Sequence, residues 1–150
     1  MNIFITSYDP RECAEYLDDK RVIKMVLETA QMLSTAVRSV GIDAGYRSTH
    51  ANHPCNQWAR ESMQNFHWLY LHGIALADEY HTRYGKQHKS FPLIVELGQY
   101  ANKFPSKGLT RFANCAANKQ LGINYKDMPK DAYLNGMIIP IHDPCMLLHL

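Results

Sequence analysis

The sequence predicts a mainly α protein: one compact helical domain with two long packed helices, a short extended N-terminal segment and an irregular C-terminal arm. Three observations predict it. Apolar residues recur at helical spacing over two long stretches. Helix-start and helix-stop residues bracket those stretches. The 150-residue chain is 46% hydrophobic and 20% charged, enough for one ordinary core. That composition also argues against global disorder.

Each element follows in order. "NIFIT" reads as a short strand or extended lead-in. "SYDP" starts a short helix, with Asp9 as cap and Pro10 at its first position, running to about Leu17. A longer helix spans Asp19 to about Val40. Val22, Ile23, Val26, Leu27, Ala30, Leu33, Ala36, Val37 and Val40 form its apolar stripe, and Gly41 stops it. After a loop over 41–53, Pro54 opens a second long helix that ends before Gly85. Gly73 inside it marks close packing or a break. "FPLIVELGQYANKF" predicts a third helix, and "TRFANCAANKQLG" a short one ending at Gly122. Residues 136–150 form an apolar arm, packed on the body or used as a partner-binding tail that pairs two copies.

Charge is uneven. Residues 1–85 balance to −2, whereas residues 86–130 balance to +6. The basic part offers phosphate contacts to DNA or a nucleotide, or is simply a solvated lysine surface. No apolar run reaches the roughly 18 residues of a membrane span, and no secretory signal opens the chain. A cytoplasmic protein is expected. The four cysteines form no CxxC pair.

Around Pro54, "YRSTHANHPCNQWARES" gathers candidate chemistry. His50, His53 and Cys55 form one metal-type cluster, and His142, Cys145 and His149 another. Neither has the spacing of a zinc finger or an HExxH helix, so no metal ligand is assigned. A helix start there also suits an anion, with Arg47, Asn52, His50, His53 and Arg60 nearby. On the first long helix Arg21, Lys24, Glu28, Gln31 and Thr35 form a polar stripe. Glu61 and Trp68 occupy a comparable stripe on the second. Two packed helices then place Glu28 and Glu61 at one cleft, or leave both on a wet surface. A carboxylate tuned by partial burial and nearby cations suits acid–base work. Arg83, Lys86 and Lys89 interleave with Tyr80 and Tyr84, a pattern that stacks bases and holds phosphates, or simply ends a helix. No Walker loop, GxSxG elbow or GxGxxG turn occurs, so no cofactor is expected.

At "LDDKRVIKMVLETAQMLSTA", "THANHPCNQWARES" and "EYHTRYGKQHKS" the chain resembles small phage and bacterial proteins grouped as pyrimidine dimer DNA glycosylase-like, over about residues 1–100. The resemblance implies a small helical domain whose N-terminus reaches a cleft, inside a bacterial host if phage-encoded. It also implies that an amine displaces a damaged base, forms a Schiff base and nicks the strand by elimination, with a carboxylate assisting. That carboxylate is then Glu28 or Glu61. Where the pattern has threonine as its mature first residue, this chain begins Met1-Asn2, so the amine is that of Met1 or Lys24. "LNGMIIPIHDPCMLLHL" replaces the aromatic, basic C-terminal end of the pattern. Two other readings use the same residues: a non-catalytic phage protein that binds a small nucleotide or host protein, and a metal-dependent hydrolase.

Overall fold

A computed structural model of the chain describes residues 2–113 and two short strands at 117–118 and 123–124. The fold is helical. Residues 2–5 enter no helix or strand, and their Ile3 and Ile5 side chains are buried in the core. Helix α1 is Pro10–Glu15 and α2 is Asp19–Ser39, with side-chain caps from Asp9 and Asp18. These caps satisfy amides that the helix itself cannot. Gly41, at φ 86°, follows the end of α2. Helix α4, Met63–Tyr84, touches α1, α2, α3 and α5 and is the hub of the fold. It stops at Gly85, whose φ of 70° is the left-handed conformation that favours glycine. Gly73 lies where helices crowd: a Cβ there would meet Thr29 Cγ2 at 2.9 Å and Ile94 Cγ2 at 3.2 Å.

The second long helix differs from expectation. It divides into α3, Pro54–Glu61, and α4, with Ser62 extended between them at φ −147° and ψ 157°. No proline or glycine causes the break. Instead, residues 105–110 cross over it and supply its hydrogen bonds. The Met63 amide donates to the Pro105 carbonyl at 2.8 Å, and Ser62 Oγ donates to the Gly108 carbonyl at 2.8 Å. Ser62 Oγ also accepts from the Asn65 amide at 3.0 Å, so one hydroxyl caps α4 and anchors the crossing chain. Asn65 completes the stitch: its Nδ2 donates to the Trp58 carbonyl at 2.9 Å and Thr110 Oγ1 at 2.7 Å, while its Oδ1 accepts from the Thr110 amide at 2.9 Å.

Asn65 is fully buried, so its partners have no water to fall back on. Asn65→Ala should therefore destabilise the fold by about 2 kcal/mol in a urea titration. An unchanged midpoint would mean that the crossing chain is held by its apolar contacts alone.

Two further expectations need correction. The third helix is α5, Phe91–Leu97, and then tightens into a 3-10 helix, Gly98–Lys103. Gly98 lies against the Tyr70 ring, where a Cβ would come within 2.4 Å of Cε2. The short helix expected over 110–122 is not formed by its described residues. Thr110 spends its backbone on Asn65 and on Trp58 Nε1, which donates to its carbonyl at 3.4 Å. Phe112 inserts between Tyr8, Trp58 and Trp68, at centroid distances of 5.9, 5.0 and 4.9 Å. Beyond it, strands β1 (Ala117–Asn118) and β2 (Ile123–Asn124) pair antiparallel. The arm at 136–150, including His142, Cys145 and His149, lies outside the described residues, as does the dimer expected of it. Among the described residues no helix is long and apolar enough to cross a membrane.

Candidate active site

Helix α2 carries the centre of the candidate site. Arg21, Glu28 and Thr35 are seven residues apart, so they recur on nearly one face, each about 10 Å further along. Arg21 marks one end. Its guanidinium lies 5.3 Å from the Phe4 ring centroid and pairs with Asp18 at 2.6 Å. Thr35 marks the other end, accepting the Thr49 amide at 3.1 Å and donating to the Thr49 carbonyl at 3.3 Å. The N-terminal segment runs along the same side: Phe4 lies at Arg21, and Asn2 Oδ1 accepts from Cys55 Sγ at 3.8 Å near the start of α3. Glu28 is the carboxylate between these ends, with a residue exposure of 8%. Lys24 precedes it by one turn and is exposed. Met1 lies outside the described residues.

The loop before α3 closes the Thr35 end, and its own backbone is tightly held. Asn56, itself buried, donates from Nδ2 to the Thr49 carbonyl at 3.1 Å and the His50 carbonyl at 2.7 Å. Arg60 Nη1 donates to the Ala51 carbonyl at 2.6 Å. Arg38 donates to the carbonyls of Tyr46 and Gly45 at 2.7 and 2.8 Å. His50 takes a φ of 49°, uncommon for a residue with a Cβ. Such conformations persist only where the surroundings enforce them, and functional sites collect them. The His50 ring is exposed, with Nδ1 2.7 Å from Thr49 Oγ1. His53 caps α3: its Nδ1 accepts the Cys55 amide at 3.1 Å, so a neutral ring carries its proton on Nε2. Arg47 and Asn52 project from this loop into solvent.

The other candidates have partners of their own. Glu61, exposed, ends α3 and accepts from Thr110 Oγ1 at 3.1 Å. It lines an open depression of about 430 Å³ with Pro54, Gln57, Trp58, Arg60, Arg111 and Ala113, and Glu28 is not among those residues. Trp68 is buried, and its Nε1 donates to the Tyr8 carbonyl at 2.7 Å. Arg83 is committed to the α1–α2 junction, donating to the Leu17 and Glu15 carbonyls at 2.7 and 3.2 Å and pairing with Glu79 and Asp19.

Lys86 and Lys89 are exposed on the loop after α4. His88 between them docks that loop on α2, with Nε2 donating to the Ile23 carbonyl at 3.1 Å. Tyr84 donates to the Asp19 carbonyl at 3.1 Å. These bonds hold the Lys86–Lys89 loop against the first turns of α2, which carry the exposed Lys20 and Lys24.

Helical spacing puts His72 in the same stripe as Glu61 and Trp68 but assigns it no role. It is buried, stacks on Trp68 at 5.2 Å and donates from Nδ1 to the Pro10 carbonyl at 2.9 Å. Burial lowers its pKa to about 4, against a smaller opposing effect of the Pro10 bond. Its signal in sequence is only a helical offset of four from Trp68. Among the described residues no group of three His, Cys, Asp or Glu side chains converges as a metal site, so His50, His53 and Cys55 do not form one together.

None of the curated proteins or solved structures compared with the chain matches it. The family model described as pyrimidine dimer DNA glycosylase matches residues 1–92, which span α1 to α4 and the whole Glu28 face. The match covers more than half of the 150 residues, and the chain belongs to the pyrimidine dimer DNA glycosylase family.

Proposed function

We propose that the protein cleaves the glycosidic bond of one base of a pyrimidine dimer in duplex DNA and then nicks the strand. The observation that carries this reading is the position of Glu28: a buried carboxylate on the cationic face of α2, within the residues matched by the family. The nucleophile is an amine, that of Met1 or of Lys24, which lies four residues before Glu28 on the same helix face. An α-amine suits the task because its reference pKa of about 7.7–8.0 leaves part of it unprotonated near neutral pH.

In the proposed reaction the amine nitrogen attacks C1′ of the damaged nucleotide. The C1′–base bond breaks, its electron pair goes to the base, and the base takes up a proton while staying joined to its dimer partner. Opening of the C1′–O4′ bond then gives a Schiff base, with a proton delivered to O4′. Removal of a C2′ proton breaks the C3′–O bond and releases the phosphate. Glu28 moves the protons at O4′ and C2′. His50 and His53, at the Thr35 end of the face, orient the sugar or the leaving base, and Glu61 lies outside this centre. A damaged base stacks poorly, so drawing it out of the duplex costs less than for an intact one. Lys24, Arg21, Lys86 and Lys89 hold the strand at one end, with Arg47 and Asn52 at the other.

The direct test is strand cleavage. An end-labelled duplex with one cyclobutane pyrimidine dimer should be nicked at the lesion, and the undamaged duplex left whole. Equal handling of both by folded protein would remove the glycosylase reading. The phosphate contacts have their own signature. Replacing Lys86 and Lys89 with Ala together should flatten the salt dependence of duplex binding by roughly 2 in the log–log slope. An unchanged slope would take these lysines off the DNA path.

A further inference from the structure

The outward side of α2 carries a second feature. Lys20, Ile23, Lys24 and Leu27 are all exposed and recur at helical spacing, so they form one strip beside the Glu28 face. Ile23 is 41% exposed and Leu27 38%. A single exposed aliphatic side chain is ordinary, and Val40, Leu71 and Val95 are of that kind. Ile23 and Leu27 instead stand one turn apart, on the helix that carries the carboxylate. Their surroundings are cationic. Tyr84 donates to the Asp19 carbonyl and His88 to the Ile23 carbonyl, each at 3.1 Å, which holds the loop with Lys86 and Lys89 against these turns. Two nearby carboxylates are already matched, Asp18 by Arg21 and Asp19 by Arg83. Among the described residues no ion pair engages Lys20, Lys24, Lys86 or Lys89. An aliphatic pair set among uncompensated lysines suits a partner that is anionic outside and apolar within. Stacked bases between phosphate strands have that make-up.

Resting on the glycosylase reading, we infer that Ile23 and Leu27 are positioning residues: they enter the base stack at the lesion and fill the space that the drawn-out nucleotide leaves. Apolar side chains inserted between base steps are a general means of opening and kinking a duplex. Leu27 precedes Glu28 by one residue and so points about 100° away from it round the same helix. A rigid helix therefore holds the wedge and the carboxylate at a fixed separation, and opening the stack presents the sugar to Glu28. Uncharged side chains release no counterions, so this role is separate from that of the lysines.

The test combines Ile23→Ala with Leu27→Ala in the full chain, and Ile23→Met with Leu27→Met as the pair that keeps the bulk. A 2-aminopurine placed beside a cyclobutane dimer reports unstacking as a rise in fluorescence. The native protein should produce that rise on binding. The Ala pair should lose most of it and cleave the dimer at least about tenfold more slowly in a single turnover. The Met pair should restore both. Cleavage at a preformed abasic site, which has no base to draw out, should stay within about twofold in the Ala pair, and the salt slope of binding should not change. An undiminished fluorescence rise in the Ala pair, or an equal loss of cleavage at dimer and abasic site, would overturn the inference. Native protein that cleaves neither duplex would instead overturn the glycosylase reading, and the fluorescence would still decide the wedge.

Discussion

Replacing Glu28 with Gln should lower strand cleavage at a pyrimidine dimer by at least about a hundredfold, the usual contribution of a positioned acid–base group. Duplex affinity should change little. The two side chains are nearly isosteric, so the 8%-exposed site keeps its packing. What is lost is the ability to take a proton from C2′ and give one to O4′. A structural role predicts a different split. If Glu28 only held α2 against the N-terminal segment, the Gln variant would lose stability and binding together with activity. Measuring cleavage under single-turnover conditions beside the affinity separates these cases. Glu61→Gln is the internal comparison, since Glu61 is exposed and bonded to Thr110. It should retain cleavage within a few-fold.

The second large effect is on stability in acid. His72 is buried and neutral in the fold, with a pKa of about 4 against an ordinary value of 6.5. The unfolded chain therefore binds a proton that the folded protein resists. Stability from this group is fully present above pH 6.5 and is lost as pH falls from there toward 4, by about 3 kcal/mol in all. His88 is lowered too, mainly by burial, and acts in the same direction. Denaturation midpoints at pH 7 and pH 4.5 should differ strongly in the native protein and much less in His72→Phe, which cannot titrate. Equal pH slopes in both proteins would remove His72 as the source. The consequence would be local as well as global, because His72 ties α4 to Pro10 at the start of α1.

Much of the helical frame was legible because its ends are written in local chemistry. Asp9-Pro10 and Gly85 act through their own backbone or a neighbouring amide, and each lies where the sequence predicts it. The break at Ser62 was not legible, because its cause is distant. A serine after a helical stretch reads as surface until residues 105–110 arrive to use its hydroxyl and the Met63 amide. The same crossing explains why 110–113 is not helical: Asn65 and three aromatic rings outbid the helix for Thr110 and Phe112.

The site divides in the same way. Glu28 and Lys24 follow from helical spacing alone, and the family match covers both. Arginine spacing, by contrast, cannot say whether a guanidinium meets a phosphate or a carbonyl. Arg83 meets the carbonyls that end α1, and Arg60 meets Ala51. Nor does a tryptophan in a polar stripe announce that its Nε1 will reach the Tyr8 carbonyl and leave the ring in the core.

The central claim is amine chemistry beside Glu28, and borohydride trapping tests it most directly. Purified protein is incubated with a labelled duplex that carries a pyrimidine dimer or an abasic site, borohydride is added, and any adduct is digested and sequenced by mass spectrometry. The account predicts a covalent protein–DNA adduct at Met1 or Lys24 in the native protein. Damaged DNA that is nicked with no trapped adduct, or an adduct at an amine remote from the Glu28 face, would contradict it.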